Sequence, residues 1–147
     1  MKKFLFAAIL LVAFTSGAFA DGKKSNAQML NDLKTALKTV NESAWLTTNS
    51  YKKAYFTFNG KSSNAFVSVE TNELIGFSIT IDENALPEGA KENVDKKFHD
   101  WKMINPIMFI TADGKVDYYV QVVRNGKSLA LSVSAKGKLS IYSHILQ

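Results

Sequence analysis

The stretch AYFTFNGKSSNAFVSV, residues 54–69, alternates apolar and polar side chains on both sides of Asn59-Gly60. Alternation at period two marks a strand with one buried face. Asn-Gly supplies the two positive φ angles of a tight hairpin turn. The stretch therefore predicts two antiparallel strands joined by a two-residue loop. Its turn returns downstream, where Asn59-Gly60-Lys61-Ser62 recurs as Asn125-Gly126-Lys127-Ser128, 66 residues on. At that offset Val67 meets Val133, Ser68 meets Ser134, Ile75 meets Ile141 and Ile79 meets Ile145. Tyr55 meets Tyr119 when the second copy carries two extra residues around Val123 and Arg124. Identities that share one register and one element order predict a unit built twice.

Each copy opens with a helical pattern. Ser25 and Gln28 have capping-box spacing, and Leu30, Leu33, Leu37 and Val40 form one stripe behind them. In the second copy Pro87 is placed in a first helical turn, where its missing donor costs nothing, and Ala90, Val94, Phe98 and Trp101 form the stripe. Both stripes are narrow, so each helix is expected to lie on a sheet. Strands are expected at 44–48, 52–58, 63–70 and 73–81, then at 106–111, 116–123, 128–135 and 138–145. Thr71-Asn72, Asp113-Gly114 and Lys136-Gly137 join the two Asn-Gly pairs as turns. The expected fold is α+β: two tandem α-β-β-β-β repeats, about 25–82 and 83–147. Together they form one antiparallel sheet of about eight strands with both helices on one face.

Alternation then sorts the sheet. The core face is expected to hold Ala54, Phe56, Phe58, Ala65, Val67, Val69, Ile75, Phe77, Ile79, Ile81, Tyr118, Val120, Val122, Leu129, Leu131, Val133, Leu139, Ile141 and Ile145. The outer face is small and polar, with Lys53, Asn64, Ser78, Asp117, Gln121, Ser132, Ser134, Ser140 and His144 among others. Tyr51, Tyr55, Phe66, Tyr119 and Tyr142 stand among them. These five aromatics are the candidate partner-binding residues, because tyrosine offers large contact area at low entropic cost amid adaptable hydroxyls.

The whole chain has 147 residues, 46% of them hydrophobic and 21% charged, which suits one globular domain. The absence of cysteine excludes a disulfide scaffold, a thiolate metal site and a cysteine nucleophile. Met1-Lys2-Lys3, an apolar run from Phe4 to Phe14, and Ala18-Phe19-Ala20 form the three parts of a secretory signal peptide over residues 1–20. Cleavage is expected between Ala20 and Asp21, and no cysteine follows to carry a lipid, so no membrane anchor remains. That predicts a periplasmic or secreted protein of residues 21–147. Losing Lys2 and Lys3 lowers the formal charge from +5 to +3. The remaining lysines are scattered and Arg124 is the one arginine, a pattern that points away from nucleic acid.

The sequence resembles the PepSY-like proteins, also described as β-lactamase-inhibitor-like, secreted by bacteria of the Bacteroidetes type. The resemblance rests on the signal peptide, the doubled helix-then-strands unit, Leu86-Pro87, Tyr118-Tyr119-Val120, and the closing Ala135-Lys136-Gly137-Lys138-Leu139. It covers about Asn26 to the C-terminus. It implies one sheet of about eight strands with both helices on one face, and an extracytoplasmic binding or inhibitory module without catalysis. Relatives often carry acidic residues beside a tryptophan near the first strand pair, whereas here Trp45 is followed by Leu46-Thr47-Thr48 and then lysines.

No catalytic, cofactor or metal residues are assigned. Gly60-Lys61-Ser62 and Gly126-Lys127-Ser128 lack the upstream glycine of a phosphate loop, since Tyr55 and Gln121 stand there. Asp113-Gly114 lacks the alternating oxygen ligands of a calcium loop, and Asp82-Glu83 reads as a solvated turn. Asn41-Glu42-Ser43 matches a glycosylation pattern without further meaning in a bacterial protein. His99 reads as a surface residue beside Asp100. His144, Asp117 and the serines of the outer face could be gathered as a hydrolase triad, but no strained turn presents a nucleophile. The leading expectation is a non-catalytic module that binds a protein or peptide through the open sheet face, and inhibits it where it is an enzyme. The alternatives are a small-ligand carrier with a pocket between helices and sheet, and a weak serine hydrolase.

Overall fold

The computed structural model describes residues 24–142; the expected signal peptide and cleavage site at Ala20 and Asp21, and also His144 and Ile145, lie outside the described residues. Helix α1 (Asn26–Leu37) is followed by strands β1 (Trp45–Thr47), β2 (Tyr51–Phe58), β3 (Lys61–Ser68) and β4 (Leu74–Thr80). Helix α2 (Ala90–Lys97) is followed by β5 (Lys102–Thr111), β6 (Val116–Arg124), β7 (Lys127–Val133) and β8 (Leu139–Ile141). All eight strands form one antiparallel sheet whose spatial order is the chain order. The two Asn-Gly turns are as the sequence demands, with φ of 49° and 73° at Asn59 and Gly60, and 48° and 74° at Asn125 and Gly126. The seam between the two copies is the β4–β5 pair.

Helix α1 begins with the expected capping box: the Gln28 N–H donates to Ser25 Oγ at 3.2 Å and the Ser25 N–H to Gln28 Oε1 at 3.1 Å. Leu30 and Leu33 are buried beneath it. The second helix starts later than the proline predicted. Pro87 lies ahead of α2, and Gly89 at φ +78° is the residue from which the helix departs. Phe98 and Trp101 fall beyond its last turn, yet their rings meet edge-on at 6.0 Å and pack against the core. Both helices cover the same sheet face, where Leu33, Phe77, Ile79, Ile110, Val94, Val120, Val122 and Leu131 are essentially inaccessible. Burying side chains of this size contributes about 1.5–3 kcal/mol each. Among the described residues these side chains form one continuous cluster between the helices and the sheet.

Three expectations about the sheet are corrected. Ile75, which the alternation assigns to the core, is 43% exposed. Phe66 pairs with Gly76 and Val67 with Leu74, so Ile75 is the extra residue of a β-bulge and leaves the alternation. Val69 and Ile141 are also exposed rather than buried, because β3 stops at Ser68 and Ile141 ends the edge strand. Strand β5 starts at Lys102, not Pro106. A second bulge lies between Ile104 and Ile107, with Asn105 at φ +49°, and lets the strand run through a proline that cannot donate to a ladder.

Candidate functional site

The outer face is built from rows of residues paired across the strands. One row runs Lys53, Phe66, Gly76 and Thr111. The next runs Tyr55, Asn64, Ser78, Phe109 and Asp117, and a third runs Thr80, Ile107, Tyr119, Ser132 and Ser140. Gly76 decides how the first two rows meet. A side chain there would strike the Phe109 ring, with two ring carbons 2.8 and 2.9 Å from where a Cβ would sit. Without it the Phe109 ring lies over the strand and approaches Phe66, whose centroid is 5.9 Å away. Phe66 in turn meets the edge of Tyr51 at 5.5 Å.

These rings form one wall of a cavity of about 620 Å³ that opens on the outer face. Tyr119 and Tyr142 form the opposite wall, with centroids 4.8 Å apart. The Tyr142 N–H donates to the Ala130 carbonyl at 2.9 Å, which holds that tyrosine against β7. Ile107 and Ala130 add apolar lining, and Asn64, Ser78, Asn105 and Gln121 add polar lining. Its size falls within the usual range for ligand sites. Among the five candidate aromatics, Tyr51, Phe66, Tyr119 and Tyr142 line this cup. Tyr55 does not line it but stands beside it, 48% exposed, in contact with the same lysine that touches Phe66.

Two polar groups of the cup are incompletely paired among the described residues. Asn64 Nδ2 donates to Ser78 Oγ at 3.0 Å, while Asn64 Oδ1 is buried without a hydrogen bond. An unsatisfied buried acceptor costs about 1–3 kcal/mol, so it is rarely retained in a native fold without a reason. Lys53 Nζ lies 4.7 Å from the centroid of the Tyr55 ring and 5.6 Å from that of Phe66. Such cation–π contacts contribute about 0.5–1 kcal/mol each when exposed. Lys53 is the one charged side chain in the lining, and among the described residues it forms no ion pair. Burial pushes the Tyr119 phenol above its ordinary pKa, with smaller upward contributions from the negative charge of Asp117 and from Tyr142.

The remaining candidates among the described residues make local contacts, and His144, the base of the expected triad, lies outside the described residues. Asp117, Ser132, Ser134 and Ser140 surround a smaller hollow. The Ser132 hydroxyl donates to the Ser140 carbonyl at 3.4 Å, and the Ser134 hydroxyl accepts the Lys138 N–H at 3.1 Å. Those are turn and ladder contacts. His99 is exposed and 3.2 Å from Asp100, away from these serines in the loop after α2. Lys61 and Asp82 form a surface ion pair at 2.8 Å. Among the described residues no cluster of His, Cys, Asp and Glu is arranged to hold a metal ion.

Phe109, Ile107 and Asn105 belong to the cup, and sequence reasoning missed them as site residues. They sit in the run Ile104–Thr111, where nearly every residue is apolar and alternation carries no face assignment. The glycine across from Thr111 was the available signal, since an interior strand glycine often marks a close approach.

The fold is that of a group of Bacteroides proteins. A DUF2874 family protein from Bacteroides ovatus superposes with a TM-score of 0.59 at 18% identity, covering 80% of this chain and 86% of that one. A presumed periplasmic protein from Bacteroides eggerthii gives a TM-score of 0.60 at 17% identity, over 79% and 84% of the two chains. A BLIP-like protein from Bacteroides fragilis gives 0.56 at 16% identity, over 75% and 82%. The expected likeness to β-lactamase-inhibitor-like proteins of Bacteroidetes is met in these neighbours. No family model matches the sequence, and no curated protein matches it.

Proposed function

We propose that this chain is a non-catalytic binding module of the cell envelope or its surroundings, which engages a protein or peptide partner through the aromatic cup on its open sheet face. Where the partner is an enzyme, seating one of its loops in the cup would inhibit it. The observation that carries the reading is the cup itself: two facing aromatic walls on the open sheet face. Rigid aromatic anchors in a concave, partly desolvated site are the usual centres of binding energy in interfaces. The fold supports the reading, because proteins described as BLIP-like and as periplasmic share it. Among the described residues no helix is long and apolar enough to cross a membrane.

The test is affinity capture from the envelope fraction of the producing organism with the native chain and with Tyr55→Ala and Tyr119→Ala. Capture of a defined partner should fall about tenfold or more for Tyr119→Ala, corresponding to about 1.4 kcal/mol. The melting temperature should move by only a few degrees, because both residues lie outside the core. Undiminished capture by both variants would exclude the cup as the binding surface.

A further inference from the structure

A second hollow lies on the helix side of the sheet, beside edge strand β1, and no residue of either helix lines it. Its volume is about 450 Å³, and Glu42, Trp45, Lys52, Val67 and Asn72 surround it. The strand register fixes the order of these groups. Trp45 pairs with Ala54, and Lys52 pairs with Thr47 on one side and Val67 on the other. Trp45, Lys52 and Val67 therefore share the face of the buried Ala54. Glu42 opens a single 3₁₀ turn (Glu42–Ala44), and its carbonyl accepts the Trp45 N–H. Residues three apart on such a turn eclipse, which sets the Glu42 side chain beside the indole. Trp45 thus stands between a carboxylate and the Lys52 ammonium.

The two charges do not neutralise each other. Among the described residues Glu42 and Lys52 form no ion pair. By contrast Lys24, Lys61, Lys91 and Lys96 each have a carboxylate within ion-pair distance. The Lys52 ammonium donates instead to a neutral partner, Asn72 Oδ1, at 3.2 Å. Asn72 occupies the left-handed region at φ +57°, which asparagine tolerates better than most residues. The lysine head is positioned while its charge stays free. Two opposite charges that flank an indole and do not reach each other match a ligand carrying the complementary pair. We infer that this hollow binds a small zwitterion, with its ammonium at Glu42, its carboxylate at Lys52 and an apolar side chain on Trp45 and Val67. That is the chemistry of a free apolar amino acid or of a dipeptide, and the volume is within the usual range for small-molecule sites. A ligand with one charge would leave Glu42 or Lys52 unmatched. The site is independent of the aromatic cup, since Lys52 and Lys53 alternate to opposite faces of β2.

The probes are leucine, leucyl-leucine, leucinamide (which lacks the carboxylate) and N-acetyl-leucine (which lacks the ammonium), each titrated into isotope-labelled protein and followed by NMR. A zwitterionic probe should shift the Trp45 indole N–H and the Asn72 side-chain amide saturably, with a dissociation constant of about 1 mM or tighter. Each singly charged analogue should bind about fivefold more weakly, or worse. Two variants separate the ends of the ligand. Glu42→Gln should abolish the advantage of leucine over N-acetyl-leucine and keep its advantage over leucinamide, and Lys52→Met should do the reverse. Both residues lie at the margin of the sheet, so unchanged melting temperatures verify that the variants remain folded. Tighter binding of leucine than of leucyl-leucine would support a free amino acid as the occupant, and the opposite order a dipeptide. Equal affinity for all four probes, or variants that weaken every probe alike, would overturn the zwitterion. Shifts confined to other surfaces, or no shifts up to ~50 mM probe, would overturn the site itself.

Discussion

Replacing Gly76 with alanine should destabilise the protein, although a glycine inside a strand is ordinarily a place to gain stability. The backbone of Gly76 is not in the left-handed region, so alanine can adopt its conformation. Fewer unfolded conformations would then contribute about 0.4–1 kcal/mol in favour of the variant. Space reverses the sign. The added Cβ would lie 2.5 Å from the Ile110 carbonyl oxygen and 2.8 Å from the Phe109 ring. Overpacking of this kind costs about 1–3 kcal/mol, and here the nearest atom belongs to the backbone of the neighbouring strand, which cannot rotate away. The net loss is then about 1–2 kcal/mol, or roughly 3–10 °C in melting temperature for a domain of this length. Urea unfolding followed by circular dichroism measures it. The cycle with Phe109→Ala divides the loss between ring and carbonyl. Because the carbonyl contact is the closer, removing the ring should restore less than half of it. A neutral or stabilising Gly76→Ala would refute the close approach on which the aromatic wall depends. Full rescue by Phe109→Ala would refute the backbone share.

Gly137→Ala should cost more, about 2–4 kcal/mol, since Gly137 sits at φ +73° and its Cβ position is occupied by the backbone of Glu88, Gly89 and Ala90. Hydrogen exchange should show α2 losing protection before the central strands, because Asn93 Nδ2 donates to the Gly137 carbonyl at 2.9 Å and ties that helix to the last hairpin. Tyr119 gives a pH signature. Its phenol is raised in the fold, chiefly by burial, so above about pH 10 the unfolded chain releases this proton first. Stability contributed below that pH is lost as pH rises through the native pKa, and urea midpoints from pH 8 to 11 should fall more steeply for the native chain than for Tyr119→Phe; parallel slopes would contradict the burial of that hydroxyl.

The sheet was legible because its signals are local and repeated. Asn-Gly at 59–60 and 125–126 fixes two hairpins, and the alternation on either side fixes which residues face the helices. The capping box at Ser25 and Gln28 is equally local, and the hydrogen bonds agree with it. What failed was the continuity of the alternation. Ile75 follows the period in sequence, yet one extra residue opposite Phe66 turns it out to solvent. Pro106 looked like a strand start because a proline interrupts a ladder, and only the bulge at Asn105 shows how the ladder passes it. A bulge depends on the partner strand, which no window of the sequence contains. Likewise the aromatics of the cup were visible as residue types, but the approach of Phe66 to Phe109 across Gly76 is a tertiary contact.

The two bulges also explain why a duplicated chain has its cup at the seam and not one in each copy. They occur at β3–β4 and at β5–β6. The strand pairs equivalent to these in the other copy are β7–β8 and β1–β2, and both run in unbroken register. The irregularities therefore do not follow the repeat; they flank the central β4–β5 seam. A bulge bends its strand and increases local twist, so two of them on either side of one strand pair concentrate curvature there. The seam is where Ser78 pairs with Phe109 and Thr80 with Ile107. Residues from the first copy, Tyr51, Phe66 and Asn64, thus face residues of the second, Ile107 and Tyr119, across a hollow that neither copy could form alone. Sequence identity between the copies builds the layer, and the departures from identity build the site.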